Sequence, residues 1–282
     1  MEWLVKEMMG AVEIGAVLAC PVCGNEINGE MQCTFCNRKY SSREGVYILI
    51  DSETSGMEWK WDKRIISQKY RQEVMKGYQR LISPDIRKAH EKWWNITYPK
   101  IGNLSGNIVD LATGLGMMLE QVLKRSNNSS VIATDIDPNV LLSTKRDFEK
   151  KGMRKAFYLA TDIKHMALRE GVADNVTSFA GLNNITDTEL VVAELYRIMK
   201  PGGKALLMAS FFEEDTPSAE LAEDYGFLDA YIKEKFFDLI GRTGFQLVED
   251  REASSVIWKE NEMDIFPIDG DKVYYHTIEI KK

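Results

Sequence analysis

Ile108-Val109-Asp110-Leu111-Ala112-Thr113-Gly114-Leu115-Gly116 is the stretch whose reading decides the fold. Apolar, β-branched residues lead into an acid, a small-residue loop follows, and Met117-Met118-Leu119-Glu120-Gln121-Val122-Leu123 comes after it. The order reads as strand, tight turn, helix. Gly114 and Gly116 let the backbone approach a ligand that a Cβ would hold off. The helix after them aims its free N–H groups back at the loop, where a nucleotide-like ligand is expected.

Working outward, Val131-Ile132-Ala133-Thr134-Asp135-Ile136-Asp137-Pro138 is a second apolar run ending in acids. An acid there can accept from ribose hydroxyls, and Asp135 takes that role; Asp137 takes the cap of a helix over Val140–Lys151. Phe157-Tyr158-Leu159-Ala160-Thr161-Asp162-Ile163 repeats the pattern, and Asn175–Phe179 leads into Ala180-Gly181-Leu182-Asn183-Asn184-Ile185. A helix is expected over Glu189–Met199, stopped by Pro201-Gly202-Gly203, with a strand over Lys204–Ala209. A helix over Ser218–Arg242 and strands at Gly244–Val248 and Val273–Ile280 complete the chain. Alternating strands and helices indicate a parallel, doubly wound sheet. No helical crossover separates the last two strands, so they should pair antiparallel.

The 282 residues carry a formal charge of −7, and 44% are hydrophobic, an ordinary balance for a globular chain. A strongly basic polyanion binder is excluded for the chain as a whole. From Glu58 to Lys100, however, eleven Lys/Arg stand against five Asp/Glu, a local +6. Trp59, Trp61, Tyr70, Tyr78, Trp93, Trp94 and Tyr98 interleave with these bases, and a helix is expected over Lys63–Leu81. Ser83-Pro84-Asp85 starts another helix, running to about Trp94. The segment is either a substrate-facing cap that attracts an acidic or nucleic-acid partner, or a pair of amphipathic helices packed on the main domain; packing is the favoured reading. No uncharged run approaches the roughly 18 residues of a membrane span, and no signal-peptide order is present. The expectation is a cytoplasmic protein without a membrane partner.

All four cysteines fall in Cys20-Pro21-Val22-Cys23 and Cys33-Thr34-Phe35-Cys36, two C-x-x-C knuckles nine residues apart. The spacing suits one tetrahedral zinc ion; the competing arrangement, two disulfides, belongs to oxidising compartments. So short a ribbon needs a staple to fold, which makes the zinc structural. Around these knuckles, Leu18–Cys23, Cys33, Cys36, Arg38–Tyr40 and Arg43–Ile50 resemble the small zinc-ribbon proteins that activate methyltransferases as separate subunits. Here the ribbon would be fused.

The glycine loop lacks the third glycine of the NAD fingerprint and the lysine of a P-loop, and Asp110 before it could reach a cationic or amino group of a ligand. Together with Pro201-Gly202-Gly203 and the terminal hairpin, the pattern over about residues 90–282 resembles the class I S-adenosylmethionine-dependent methyltransferases. Ala112-Thr113 in the first motif is similar to quinone-biosynthesis methyltransferases. The resemblance implies a seven-stranded Rossmann-like sheet with an antiparallel last strand. It places S-adenosylmethionine on Asp110, Ala112, Thr113, Gly114, Gly116, Asp135, Ile136, Asp162, Ile163, Phe179 and Ala180. Alanine at 112, for the family's first glycine, should cost modest room near the methionine moiety.

The implied domains are a zinc ribbon at 1–51, a helical linker or cap at 52–100 and the cofactor-binding domain at 101–282. The implied activity is methyl transfer to a small or medium-sized acceptor. An RNA methyltransferase using ribbon and cap as a platform is the alternative, by analogy with ribosomal-RNA guanine methyltransferases in domain order; a cofactor-binding protein without transfer activity is another. The Asn-Pro-Pro-aromatic motif of amino-group methyltransferases is absent after Ser178. His90, His165 and His276 are candidate bases, His165 the best placed, and none is assigned a catalytic role.

Overall fold

The computed structural model describes residues 14–51, 80–154, 156–260 and 267–282. Its strands are β1 (Ser41–Arg43), β2 (Val46–Ile48), β3 (Gly106–Leu111), β4 (Ser129–Asp135), β5 (Phe157–Ala160), β6 (Ala173–Phe179), β7 (Met199–Phe211), β8 (Gln246–Ile257) and β9 (Lys272–Lys281). After a single helical turn at Ile14–Val17, the α-helices from Pro84 onward are α1 (Pro84–Ile101), α2 (Met117–Arg125), α3 (Pro138–Lys150), α4 (Thr188–Ile198), α5 (Pro217–Asp224), α6 (Leu228–Tyr231) and α7 (Lys233–Thr243). All nine strands form one sheet in the order β1-β2-β5-β4-β3-β6-β7-β9-β8. Strands β3–β9 are the expected seven, doubly wound, with β9 antiparallel to both β7 and β8. The first strand, β3, pairs with β4 on one side and β6 on the other. Chain direction around the sheet reverses there, which leaves a crevice beyond the carboxyl ends of β3 and β6.

Alternation along β3 feeds both faces. Ile108 joins an apolar layer with Trp93, Leu119 and Phe148; Val109 and Leu111 join the opposite layer with Val191, Leu195 and Leu239. Burial on both faces is what a sheet of apolar runs ending in acids requires. The helix starts are chemically marked. Ser83 Oγ accepts from Ile86 N at 3.2 Å before Pro84, and Asp137 Oδ1 accepts from Asn139 N at 2.8 Å before Pro138, so Asp137 caps α3 as expected.

Helix α1 runs beyond the expected Trp94 to Ile101, with Pro99 in its last turn. It lies against β8 and β9. Trp93 Nε1 donates to His276 O at 2.9 Å, and the hydroxyls of Thr97 and Thr277 meet at 2.9 Å. This part of the basic segment is therefore packed on the sheet. Of the helix expected over Lys63–Leu81, only Arg80 and Leu81 fall within the described residues, and both are helical.

Three other expectations need correction. The single helix over Ser218–Arg242 is three helices, α5 to α7, because Gly226 takes a left-handed φ of 75° after α5 and the chain turns. Helix α4 ends at Ile198, and Pro201-Gly202-Gly203 lies inside the first part of β7 rather than stopping the helix itself. The penultimate strand is 12 residues long, far past Val248, since nearly its whole length pairs with β9.

The cysteine segment continues the sheet. Strand β2 pairs in parallel with β5, and Leu49 N donates to Ala160 O at 2.9 Å. On its other side Ala19 N donates to Ala167 O at 3.1 Å and Arg169 N to Val17 O at 2.8 Å. Leu18, Ile27 and Leu49 are buried with Leu159 and Leu168 in one apolar layer.

Trp93 is essentially fully buried and combines a large apolar surface with its hydrogen bond to β9. Trp93→Ala should lower unfolding free energy by about 3–5 kcal/mol, read from urea denaturation midpoints at unchanged slope.

Candidate functional site

The loop after β3 is built from backbone conformations that side chains resist. Ala112, Gly114 and Gly116 have φ of 47°, 52° and 79°. At Gly116, the residue before α2, a Cβ would lie 2.7 Å from Phe148 Cζ and 2.8 Å from Thr144 Cγ2. Thr113 N donates to Thr134 O at 2.8 Å, Gly116 N to Thr113 O at 2.8 Å, and Thr144 Oγ1 to Gly114 O at 2.8 Å. The loop is thereby tied to β4 and α3. Alanine at 112 sits in a conformation that favours glycine, so the departure at this position involves backbone strain as well as room.

Two acids pin the loop. Asp110 is completely buried; its Oδ2 accepts from Thr113 Oγ1 at 2.8 Å and its Oδ1 from Thr177 Oγ1 at 2.7 Å. The oxygens of Asp110 thus hold the loop to the neighbouring strand. Asp135 Oδ2 accepts from Gly114 N at 2.8 Å and its Oδ1 from Asp137 N at 3.0 Å. Each oxygen of Asp135 keeps acceptor capacity beyond its one backbone amide. Ile136, next to it, is half-buried.

Beyond β5, Asp162 Oδ1 accepts from Lys164 N at 2.9 Å, whereas Oδ2 is buried with no hydrogen-bond partner among the described residues. Ile163 is buried beside it in sequence. Beyond β6, Ala180 has a left-handed φ of 53°, and its N–H donates to Met208 O at 2.7 Å. Ala112–Gly116, Asp135–Ile136, Asp162–Ile163 and Phe179–Ala180 thus stand at the carboxyl ends of four adjacent strands.

Phe179 carries an aromatic layer from α1. Its ring centroid lies 4.8 Å from Trp94 and 5.4 Å from Trp93; Trp93 meets Tyr275 at 4.7 Å and Trp94 meets Tyr98 at 5.6 Å. His90 contacts Tyr275 at 4.9 Å, and burial lowers it to about 4, so it is neutral near pH 7. His165 is exposed after Asp162, and His276 is buried with Nδ1 2.5 Å from Asp250 Oδ1. Sequence reasoning missed the chain in which Tyr231 Oη donates to Asn184 Oδ1 at 3.1 Å and Asn184 Nδ2 donates to Ala180 O at 3.1 Å. The adjacent Asn183-Asn184 pair was the only local signal for it.

The four cysteine sulfurs lie within 4.8 Å of one another, with 3.6 Å between Cys20 and Cys36 and 3.4 Å between Cys23 and Cys33. All four are free thiols. Tyr40 Oη is 3.0 Å from Cys20 Sγ.

A sequence profile of the ubiE/COQ5 methyltransferase family matches residues 64–249, about two thirds of the chain. The chain belongs to the ubiE/COQ5 methyltransferase family. Among relatives, a demethylmenaquinone methyltransferase of Thermus thermophilus is 33% identical over 101 residues, covering 36% of this chain and 46% of that protein. A ubiquinone/menaquinone biosynthesis C-methyltransferase of Wigglesworthia glossinidia brevipalpis is 26% identical over 123 residues, covering 43% and 49%. The matches to these relatives span about half their length. The fold is shared with a SAM-dependent methyltransferase of Aquifex aeolicus, at a TM-score of 0.51 and 14% identity, over 78% of this chain and 99% of that one. It is shared also with Haemonchus contortus phosphoethanolamine N-methyltransferase 2 in complex with S-adenosyl-L-methionine, at a TM-score of 0.51 and 18% identity, over 67% and 52%. In this ubiE/COQ5-family chain the cysteine cluster lies outside the matched residues.

Burial raises the Asp110 carboxyl to about 7 and that of Asp135 to about 6, from an ordinary 3.8. Between about pH 4 and 7 the folded state therefore binds protons that the unfolded state has released, and stability falls as pH rises through that window. In the cofactor-free protein, unfolding free energy should drop by on the order of 4 kcal/mol from pH 5 to pH 8, and Asp110→Asn should flatten the slope. Chemical denaturation at the two pH values measures both.

Proposed function

We propose that this chain transfers a methyl group from S-adenosylmethionine to a ring carbon of a small hydroquinone-type acceptor, with a structural zinc ion in its cysteine ribbon. The observation that carries the cofactor assignment is Asp162 Oδ2, a buried acceptor without a donor at the carboxyl end of β5. Such an atom calls for a partner, and the amino group of adenine supplies one. Asp135 offers its remaining lone pairs to the ribose hydroxyls, and the Ala112–Gly116 turn gives the methionine end a close backbone approach. Phe179 and Ala180 border the side from which an acceptor would come.

When bound, the cofactor supplies a sulfonium methyl already activated toward nucleophiles. What falls to the chain is alignment and the exclusion of water. The half-buried ring of Phe179, backed by the buried Trp93 and Trp94, suits a flat aromatic acceptor. The two relatives, named for menaquinone and ubiquinone/menaquinone biosynthesis, support a quinol acceptor over RNA. No general base is assigned.

Tetrahedral zinc–thiolate bonds of about 2.3 Å put sulfurs about 3.8 Å apart, close to the separations within this cluster; a disulfide needs about 2.05 Å. Tyr40 Oη would donate to the Cys20 thiolate and orient it. Four thiolates leave no open coordination position, so zinc takes no part in the reaction. On this reading residues 1–51 are the ribbon, 52–100 link and cap, and 101–282 hold the cofactor.

Labelled S-adenosylmethionine should transfer its methyl to a reduced, demethylated naphthoquinol and leave RNA unlabelled; label in RNA alone would replace the quinol with RNA as substrate. Asp162→Ala should weaken cofactor binding about tenfold by calorimetry, the worth of one hydrogen bond to a charged group. Elemental analysis should find one zinc per chain, lost in Cys33→Ser, and a chelator should lower the melting temperature of the wild-type chain.

A further inference from the structure

The loops that follow β3 and β6 run side by side, because those strands are neighbours with Leu111 opposite Ser178. Each loop begins with an alanine in the left-handed region, Ala112 and Ala180. Gly181, the next residue, has φ −73° and ψ −36°, a conformation open to any residue. Its backbone therefore does not require glycine. Its surroundings do: a Cβ at 181 would lie 2.5 Å from Ala112 Cβ, 3.2 Å from Ala112 O and 3.3 Å from Ser178 Oγ. Ala112 is the reverse case, a residue with a side chain where the backbone favours glycine. The methyl group of one loop occupies the space left by the missing side chain of the other.

We infer that Ala112 and Gly181 form one steric unit, and that Gly181 is a positioning residue for the cofactor. Its lack of a side chain lets the β3 loop close against the β6 loop. That sets the width of the crevice between them, where, on the reading above, the methionine end of the cofactor lies. A side chain at 181 pushes Ala112 away, and the push reaches Gly114, whose N–H is held by Asp135 two residues on. Cofactor affinity should therefore depend on the pair of residues and not on either alone. Removing the methyl at 112 restores the clearance that a methyl at 181 takes away.

The test is a double-mutant cycle on the full chain, with S-adenosylmethionine binding followed by calorimetry and folding by thermal melting. Gly181→Ala should raise the dissociation constant at least tenfold. Adding Ala112→Gly to that variant should bring it back to within about threefold of the Ala112→Gly single variant. If Gly181→Ala does not fold, the double variant is the decisive protein: folding and binding by it support the steric unit, and failure to fold overturns it. Unchanged binding in Gly181→Ala, or weakened binding that Ala112→Gly does not recover, overturns the positioning role while leaving the cofactor assignment standing. A wild-type chain that binds no S-adenosylmethionine overturns both.

Discussion

The buried carboxylate of Asp110 is the constraint on which the crevice depends. It accepts from Thr113 in its own loop and from Thr177 on the neighbouring strand, so a single side chain joins the turn after β3 to β6 across the switch point. A buried carboxylate is tolerated only when its acceptors are matched, and two hydroxyls at hydrogen-bond distance do this without a countercharge. With no countercharge against it among the described residues, desolvation dominates, and the group is held well above the usual carboxylate range. Asp135 repeats the device one strand over, using Gly114 N and Asp137 N. The loop thus owes its shape to acids that fold it, each carboxyl keeping acceptor capacity beyond the bonds that hold the turn.

The cysteine segment solves a different problem. Strand β5 would be the edge of the methyltransferase sheet, with unpaired backbone groups available to any other chain. Strand β2 covers that edge, and β1 closes it with three residues. The segment Val17–Ala19 is tied to Ala167–Arg169, downstream of Asp162. The Asp162 turn is consequently flanked on both sides by backbone that the cysteine segment holds. Ion pairs at the periphery, such as Glu44 with Arg146 of α3, join exposed groups and add little stability; the buried layer of Leu18, Ile27, Leu49, Leu159 and Leu168 does most of the holding.

Much of this was legible in the sequence because the rules are local. A strand ending in an acid, a glycine turn, a Ser-Pro or Asp-Pro helix start and a missing crossover before the last strand each announce themselves within a few residues. The doubly wound parallel sheet and the closing hairpin followed from these. What was not legible depends on partners far along the chain. The strand partner that holds the Asp110 carboxyl is Thr177, 67 positions away. The pairing of β2 with β5 joins residues more than a hundred positions apart. The break at Gly226 was hidden inside an amphipathic pattern, because helical periodicity continues across a turn that changes only direction. The space that makes glycine necessary at 181 comes from Ala112, and a sequence pattern carries no information on that clearance.

Helix α1 shows how far such long-range contacts reach into the site. Its residues precede the glycine loop, and the packing favoured from the sequence reaches the site itself: Trp93 and Trp94 both pack on Phe179, the last residue of β6. Trp93 is also fixed at its far end by the hydrogen bond to His276 O on β9. The ring of Phe179 is thus held between the central strands and a helix anchored to the terminal hairpin. If an acceptor enters beside Phe179, as proposed, the surface it meets is set jointly by the middle of the chain, by α1 and by the last strand. The glycine loop then governs the methyl donor, while selection among acceptors belongs to an aromatic layer drawn from three separate parts of the chain.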